Sequence, residues 1–308
     1  MNPLRWGDKP YHSLDYELKH QYGEKIYKIA LDAGMTCPNR DGTLGTGGCI
    51  FCSAGGSGDF ASPAASACGE YSIRQQLLEG LSYFHTKKTG NRFIAYFQSY
   101  TNTYAPTGRL RSLYTEALEE PDVVGISIAT RPDCLGDDVI ALLSSLKDSY
   151  PDKFIWVELG LQTMHEETAR FIRRGYPLST FEEALNRLHA ISVPVIVHVI
   201  LGLPHESKEM MIKTCNYLNS CHIDGIKLQL LHVLKNTDLA ALYEQKTFDI
   251  LSLEEYIDIV ITCLEVLSPD IVIHRVTGDG PKELLLAPAW SLNKRHVPVS
   301  YTHLTLPT

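Results

Sequence analysis

Three cysteines near the amino end of the chain have the spacing of a metal-ligand set. Cys37, Cys49 and Cys52 form a C-x11-C-x2-C pattern inside the segment AGMTCPNRDGTLGTGGCIFCSAGGSG. Thiolates are soft ligands that bind zinc or the irons of an iron–sulfur cluster. Three thiolates on a [4Fe–4S] cluster would leave one iron open to bind a substrate or a cofactor, so the segment is a candidate reactive centre.

The glycines around these cysteines favour a ligand-binding loop over buried structural thiols. From Gly42 to Gly58, 7 of 17 residues are glycine, so the backbone can take positive φ and bring its amides close to a bound group. Amides directed at cluster sulfurs would stabilise their negative charge. A fourth cysteine, Cys68, keeps a zinc interpretation open, because four thiolates make a closed structural zinc site. Reduced core cysteines fit poorly with a loop that offers little apolar surface.

The elements that must position this loop alternate along the chain. Apolar runs rich in β-branched and aromatic residues begin near Lys25, Arg92, Val123, Phe154, Val193, Gly225 and Asp270. Amphipathic stretches lie between them at 73–87, 110–119, 137–149, 181–191, 208–220 and 253–267, with Ser179 and Glu182 as an expected capping box. From Arg92 onward, successive strand starts are 31 to 45 residues apart. Strand–helix units of this length build parallel sheets with right-handed crossovers. We therefore predict an α/β fold, a partial (β/α)6-type TIM barrel, with a doubly wound sheet as the alternative. In either fold, function lies at the carboxyl ends of the strands.

The same pattern divides the chain into segments. Residues 1–24 form an N-terminal extension, and residues 25–280 form the barrel, with the cysteine segment at 34–69 inserted after the first strand. A long insertion of this kind inside a compact domain indicates function. Residues 281–308 form a C-terminal segment that ends HVPVSYTHLTLPT, without a helical period. We expect this tail to be truncated or non-native, and we assign it no function.

Composition restricts the class of protein. The chain has 308 residues, 44% hydrophobic and 21% charged, which excludes disordered and collagen-like proteins. The longest apolar run, 193–204, is too short to span a bilayer, and the first residues lack an apolar signal region, so we expect a cytoplasmic location and no membrane association. Eight cysteines in that setting are not expected to form disulfides, and Cys134, Cys215, Cys221 and Cys263 have no motif partners. The formal net charge of −8 argues against strong electrostatic binding of nucleic acid.

The cysteine loop and five further motifs resemble the radical S-adenosylmethionine (SAM) superfamily. The C-x-aromatic-C sequence at Cys49–Cys52, preceded by a third cysteine after the first strand, is similar to the cluster motif of that family. The longer first spacing matches the YhcC/YtqA type, a subgroup related to the catalytic subunit of elongator. The resemblance extends over residues 22–290 and includes FQSYTNTY (97–104), ATRPD (129–133), ELGLQT (158–163), HVILGLP (198–204) and TGDGP (277–281).

The resemblance implies a catalytic cluster and a bound cofactor. Cys37, Cys49 and Cys52 would hold a [4Fe–4S] cluster, SAM would chelate the fourth iron, and Phe51 would lie near the adenine. The reduced cluster would cleave SAM to methionine and a 5′-deoxyadenosyl radical, which takes a hydrogen atom from the substrate. The protein would then have to position the substrate and exclude water.

Further SAM contacts are expected on the strands. Gln98, Ser99 and Thr101 end the second strand, where the family places polar groups against the SAM amine; a polar turn is the alternative. Glu158 and Gln162 are an even number of residues apart and are expected to face the same side of the fourth strand, with Glu158 binding ribose hydroxyls or the amine. A pair of surface caps is the alternative, but a glutamate within the run FIWVELGLQT is costly to bury without a partner, which favours a functional role. Arg174 would pair the SAM carboxylate, although Arg170, Arg173 and Arg174 could equally form a solvated helical face. His198 would point inward near the nucleoside. Arg131–Asp133 would serve the substrate or form a turn.

The substrate and partners follow from the resemblance alone. Members of the subgroup are linked to the tRNA wobble uridine, converting its carboxymethylaminomethyl side chain to aminomethyl. The net charge does not favour tRNA, but basic clusters at 87–92, 170–174 and 294–295 are available for phosphates. An electron donor such as flavodoxin or ferredoxin is expected. A radical reaction on a small molecule or peptide, and a zinc-binding barrel without radical chemistry, stay open as alternatives.

Overall fold

The seven apolar runs all form strands, and these strands lie side by side in one parallel sheet. The computed structural model of the protein describes residues 5–56, 72–85, 90–278 and 280–293. The strands in these ranges are β1 (Tyr27–Leu31), β2 (Phe93–Phe97), β3 (Val123–Thr130), β4 (Phe154–Gln162), β5 (Val195–Leu201), β6 (Gly225–Leu230), β7 (Val233–Leu234), β8 (Val272–Arg275) and β9 (Leu285–Ala287). The main sheet has the order β1-β2-β3-β4-β5-β6-β8, and β7 pairs with β9 in a small antiparallel ladder.

This strand order decides between the two predicted architectures. Neighbours in the sheet follow one another in the chain, and every pair in it is parallel. A doubly wound sheet would reverse its order at a switch point. In the described residues β1 and β8 share no ladder, so the sheet is an open, partial α/β barrel, as predicted.

The helices surround the sheet; most of them pack on its outer face, and the first covers its amino end. They are α1 (Leu14–Tyr22), α2 (Ile73–His85), α3 (Thr107–Leu118), α4 (Asp137–Ser149), α5 (Glu166–Phe171), α6 (Leu178–Ala190), α7 (Lys208–Asn219), α8 (Asp238–Glu244) and α9 (Leu253–Val266). All six predicted helices are present to within one turn, whereas α1, α5 and α8 were not predicted. Within the described ranges, none of these helices combines the length and apolar character that crossing a membrane requires.

One local prediction about a helix start is wrong. The expected capping box at Ser179 and Glu182 does not form, because α6 begins earlier, at Leu178, behind a proline without a side-chain cap. Glu182 instead accepts a hydrogen bond from the Tyr217 hydroxyl at 2.8 Å. A capping box does form at the start of α9, where the side chains of Ser252 and Glu255 bond to each other's backbone N–H groups.

Two of the three apolar clusters in the described residues form the outer and inner layers of the barrel. The outer layer joins the sheet to its helices and contains buried Leu, Ile, Val and Phe side chains from every strand of the main sheet. The inner layer closes the amino end of the barrel and consists of Leu18, Ile26, Ile94, Val124, Trp156 and Ile196. α1 covers this end with Leu14, Leu18 and Tyr22, and its N-terminal neighbour Ser13 bridges to Ile273 of β8. The amino end is therefore sealed, and the polar interior opens at the carboxyl ends of the strands.

Candidate active site

The three predicted cysteine ligands lie around one cavity at the carboxyl ends of the strands. Cys37, Cys49 and Cys52 follow β1 and line a cavity of about 180 Å³ that also reaches the ends of β3 to β6. Tight turns shape the loop: the Cys37 carbonyl accepts from the N–H of Arg40 at 2.8 Å, and the Cys49 carbonyl accepts from the N–H of Cys52 at 3.0 Å. Cys68, the fourth thiol of the zinc alternative, lies outside the described residues.

Side chains of the CPNRDG segment fix the loop in place. Asn39 donates from Nδ2 to the Cys49 sulfur at 3.5 Å and to the Arg173 carbonyl at 2.8 Å. Arg40 donates to the carbonyls of Cys52 at 2.9 Å and of the following serine at 2.5 Å. The Arg40 guanidinium also lies 5.9 Å from the ring centroid of Tyr100, a residue with φ of 60° just beyond β2. The loop is thus held by its own backbone, by the turn after β2 and by the segment after α5.

The chemistry of the three thiols suits a metal cluster. Burial raises the pKa of the Cys49 thiol to about 12, and the neighbouring Cys52 adds to this effect. Ionisation therefore requires positive charge such as bound iron, which deprotonates a coordinating thiol. Among the described residues, no three His, Cys, Asp or Glu side chains are grouped so as to hold one metal ion. Thiols spread around a cavity fit a cluster, which offers each thiolate its own iron.

The polar residues after β2 occupy different parts of the site. Thr101 is 1% exposed and lines the cysteine cavity, and its N–H donates to the Thr36 carbonyl at 3.2 Å. Ser99 is buried in the same turn. Gln98 lines a second cavity of about 220 Å³, which shares Phe51 and Cys52 with the first. The predicted set is therefore brought together at one end of the barrel, but it faces two adjoining chambers.

Glu158 lies at the centre of a buried polar layer. Its side chain is fully buried, and Oε1 accepts from Lys28 Nζ at 2.9 Å and from the Ser127 hydroxyl at 2.7 Å. Oε2 contacts His198 Nε2 at 2.7 Å and the Lys227 ammonium. Glu158 and His198 both line the cysteine cavity, yet the carboxylate oxygens already have internal partners. The layer links β1, β3, β4, β5 and β6 under the cavity floor.

Electrostatics in this layer keep the carboxylate charged. Burial alone raises the pKa of Glu158, but the ammonium groups of Lys227 and Lys28 outweigh it and hold that pKa well below its usual range. Burial lowers the pKa of Lys227, although Glu158 opposes the shift. The layer is therefore a network of buried charges that depend on one another.

His198 should make the stability of the protein depend on pH. Burial lowers the pKa of its imidazole to about 4, and Lys227 adds to this, against the opposing bond with Glu158. An unfolded histidine titrates near ~6.5, so between these values the unfolded chain binds the proton first and stability falls as pH falls. We expect the free energy of unfolding to fall by on the order of 3 kcal/mol from pH ~6.5 to pH ~4 through this group.

Urea denaturation across a pH series would measure this slope. His198→Gln should flatten it relative to the wild-type chain, because glutamine cannot titrate. His222→Asn is the matched control, since His222 is exposed and has a φ of 52° that asparagine tolerates. An equal slope in wild type and His198→Gln would contradict the expectation.

The end of β4 is irregular, and this changes how Gln162 meets the cavity. Gln162 has a φ of 62°, and the register with β5 shifts between Gly160 and Gln162. Glu158 and Gln162 line the same cavity as predicted, but the strand's simple alternation does not extend to Gln162. The Tyr176 hydroxyl donates to the Gly160 carbonyl and secures the irregular end.

The three arginines after β4 separate into one buried and two exposed side chains. Arg174 is 1% exposed, lines the cysteine cavity and makes four hydrogen bonds, to the carbonyls of Leu161, Thr163 and Tyr176 and to a Glu166 carboxylate oxygen. Arg173 is exposed and pairs with Asp238 at 2.6 Å, and Arg170 is also exposed. Arg131 pairs with Asp133 at 2.7 Å and donates to the Arg174 carbonyl at 3.0 Å, so this motif forms a braced turn beside the cavity.

Sequence reasoning missed the interior cations. Lys28, Lys227 and Arg275 each stand within an apolar strand run, and Arg275 lines the second cavity. The signal was available, because a charge inside a buried strand is costly unless it has a partner. The argument that singles out Glu158 within its apolar run holds equally for these three cations. Of the basic cluster expected at 87–92, Lys87 and Lys88 lie outside the described residues and Arg92 pairs with Glu24 at 2.5 Å. The cluster at 294–295 also lies outside the described residues.

Comparison with known proteins places this chain in a family. Residues 41–218 match the model of the radical SAM superfamily, and residues 223–301 match the Radical_SAM C-terminal domain. The chain is 44% identical over 298 residues to YtqA of Bacillus subtilis, covering 96% of this chain and 90% of YtqA. It is 35% identical to YhcC of Escherichia coli, covering 90% and 86%. Elongator complex protein 3 of Schizosaccharomyces pombe is 25% identical, covering 83% of this chain and 53% of that protein.

Solved structures agree on the fold. The archaeal Methanocaldococcus infernus Elp3 with an N-terminal deletion superposes with a TM-score of 0.67 at 15% identity, over 91% of this chain. The chain spans 63% of that solved chain, which is less than two thirds of its length. Methylornithine synthase superposes with a TM-score of 0.56 at 16% identity, over 84% of this chain. The family match over more than half of the chain, together with these relatives, shows that the protein is an enzyme of the radical SAM superfamily, which uses a [4Fe–4S] cluster and S-adenosylmethionine as cofactors.

Proposed function

We propose that Cys37, Cys49 and Cys52 hold the [4Fe–4S] cluster and that SAM binds beside it against the carboxyl ends of the strands. The observation that carries this proposal is that the three thiols line one cavity together with polar groups from β3 to β6. With the cluster and SAM bound, the site supplies a 5′-deoxyadenosyl radical that removes a hydrogen atom from the substrate. A reducing partner such as flavodoxin or ferredoxin, and a cytoplasmic setting, belong to the same proposal.

The chain's own residues would orient SAM in this cavity. Phe51 and Thr101 form part of its wall, and they would contact the adenine and the amine respectively. The guanidinium of Arg174 would face the carboxylate of SAM. Three of its hydrogen bonds go to backbone carbonyls and hold it in a fixed orientation. Gln162 also lines the cavity. Ser99 is buried in the turn after β2, and Gln98 lines the second cavity. Both would contact SAM only at the edge of the cysteine cavity.

The polar layer below the cavity would support these contacts. Glu158 and His198 line the cavity, and each is held by neighbours from other strands. Side chains locked in this way keep a cofactor within a fraction of an ångström of its productive position. Glu158 and His198 are accordingly proposed to contact the nucleoside from a preorganised floor.

The proposed substrate is the wobble uridine of tRNA, whose carboxymethylaminomethyl side chain would become aminomethyl. The relation to Elongator complex protein 3 supports tRNA as the substrate class. An exposed anticodon base can be bound by stacking and by hydrogen bonds to its edges, which does not require a strongly basic protein surface. The reaction breaks one carbon–nitrogen bond. With SAM as two-electron oxidant and one water consumed, it balances when the two-carbon unit leaves as glyoxylate.

Anaerobic assays on the reconstituted enzyme would test this function. Reduction with dithionite should yield methionine and 5′-deoxyadenosine, and tRNA from a strain lacking the gene should gain aminomethyl-uridine and release glyoxylate when treated with the enzyme. An unchanged wobble nucleoside in that tRNA would remove the tRNA proposal while leaving SAM cleavage intact. The alternative, a small-molecule or peptide substrate, would then have to be sought with the same cleavage assay.

A further inference from the structure

Arg275 at the end of β8 is an interior cation whose role the cluster and SAM do not explain. It is half-buried and lines the second cavity together with Tyr96, Gln98, Gln229 and His232. Across residues 5–56, 72–85, 90–278 and 280–293, no carboxylate lies within ion-pair distance of its guanidinium. A guanidinium inside a cavity has five N–H donors and needs acceptors.

A backbone irregularity directs this arginine inward. Ile226 pairs with Ile273, but the next residue of β6, Lys227, pairs with Arg275, so β8 advances by two residues where β6 advances by one. Ile273 belongs to the outer apolar core. Without the extra residue, Arg275 would face the helices like Ile273, two positions earlier. Bulges of this kind often re-aim a side chain beside a functional site, and this one brings Arg275 level with Lys227.

Among the described residues, the one carboxylate in contact with the interior lysines is already occupied by other partners and does not pair with Arg275. Lys28 and Lys227 both bond to Glu158, and Ser127 and His198 complete the coordination of the same carboxylate. In the described part of the interior, three cations therefore face one carboxylate whose oxygens are already occupied. A surplus of positive charge in a half-enclosed cavity attracts an anionic ligand.

We propose that Arg275 binds the carboxylate of the substrate side chain in the second cavity. This inference rests on the proposed function, in which the substrate carries a carboxymethylaminomethyl group. A guanidinium matches a carboxylate with two parallel hydrogen bonds. The second cavity shares Phe51, Cys52 and His198 with the cysteine cavity, so a carboxylate fixed at Arg275 holds the neighbouring methylene at the boundary of the two chambers. Arg275 is thus a specificity-determining residue for the acidic end of the substrate.

Nucleoside binding to the holoenzyme tests this without turnover. Equilibrium dialysis with SAM and no reductant would compare 5-carboxymethylaminomethyl-uridine with its methyl ester, which adds one methyl group and has no terminal charge. Wild-type enzyme should bind the acid about 10- to 100-fold more tightly, the effect of a charge-assisted pair. Arg275→Gln should bind both equally, and Arg275→Lys should recover part of the preference. Arg111→Gln, an exposed arginine bonded to Ser145, is the matched control and should keep the full preference.

Several outcomes would overturn the inference. No binding of the acid by the wild type, no preference over the ester, or a preference that survives Arg275→Gln would each do so. If Arg275→Gln weakened SAM binding as much as acid binding, Arg275 would belong to the cofactor site instead. The tRNA assay and the binding assay can fail independently. If the enzyme does not convert the wobble uridine but still prefers the acid, the tRNA proposal is overturned and the carboxylate site is kept. If it converts the wobble uridine but does not prefer the acid, the carboxylate site is overturned and the tRNA proposal is kept.

Discussion

Replacing Cys49 by alanine should reduce SAM cleavage to the level of a reaction without enzyme. Cys49 is one of three thiols around the cysteine cavity, and a cluster that loses one thiolate ligand either fails to assemble or exposes a second iron. The variant should reconstitute to a colourless or pale protein, with lower iron and sulfide content and no 5′-deoxyadenosine after dithionite. The measurement is iron analysis combined with product chromatography under anaerobic conditions.

Cys221→Ala is the matched control for this substitution. Cys221 lies beyond the end of α7, is half-buried and donates to the Tyr217 carbonyl at 3.5 Å, so its loss should leave the brown colour and the cleavage rate close to wild type. Circular dichroism of both variants would check that the fold persists. A Cys49→Ala protein that still cleaved SAM, or a colourless wild type that held one zinc ion, would contradict the cluster proposal.

The strands and the cysteine loop could be predicted because each depends on residue types that are adjacent in the chain. A strand covered on both faces is a continuous apolar run, so the run at Phe154–Gln162 is visible without the fold. α1 was missed because it is short and only Leu18 among its residues is buried. Its apolar contacts are with residues at the amino ends of strands that lie far along the chain. No local sequence pattern predicts such contacts.

The interior of the site was predictable only in part, for the same reason. Glu158 stood out as an acid within an apolar run, but Lys28 is 130 residues away and Lys227 is 69 residues away. Only the curvature of the sheet into a partial barrel brings the three side chains into contact. The spacing of Arg170, Arg173 and Arg174 likewise does not reveal which one is buried, because that depends on the irregular end of β4 that Arg174 braces.

Removing the carboxylate of the polar layer should have the largest effect on stability. Glu158→Ala leaves Lys28 and Lys227 without their shared anion, and the side chain of Lys227 is only 4% exposed. Breaking a buried charge network by deleting one partner typically costs about 3–5 kcal/mol. We expect the free energy of unfolding in urea to fall by about that amount. Asp258→Ala, which breaks the more exposed Lys208–Asp258 pair at 2.5 Å, should cost less than about 1 kcal/mol.

The pH dependence of the Glu158→Ala variant should show the origin of this cost. Burial lowers the pKa of Lys227 in the folded chain, and Glu158 is the group that opposes the shift. Without Glu158 the folded state releases the Lys227 proton more readily, whereas the unfolded lysine keeps it up to pH ~10.4. The unfolded state then binds more protons, so the stability of the variant should rise with pH above neutrality more steeply than that of the wild type.

A second substitution separates charge from packing. Combining Glu158→Leu with Lys227→Met removes a buried anion and the more deeply buried of its two cations, and apolar replacement of such a pair is often neutral or better for stability. Lys28 loses its anion in this variant, but its side chain is 20% exposed and can reach solvent, so its cost is smaller. The double variant should therefore recover much of the loss and have a pH slope close to the wild type. If Glu158→Ala cost less than about 1 kcal/mol and gained no additional slope, the layer would not depend on its charges. The same layer forms the floor of the cysteine cavity, on which SAM is proposed to bind. The double variant should therefore bind SAM more weakly than the wild type even though it recovers much of its stability.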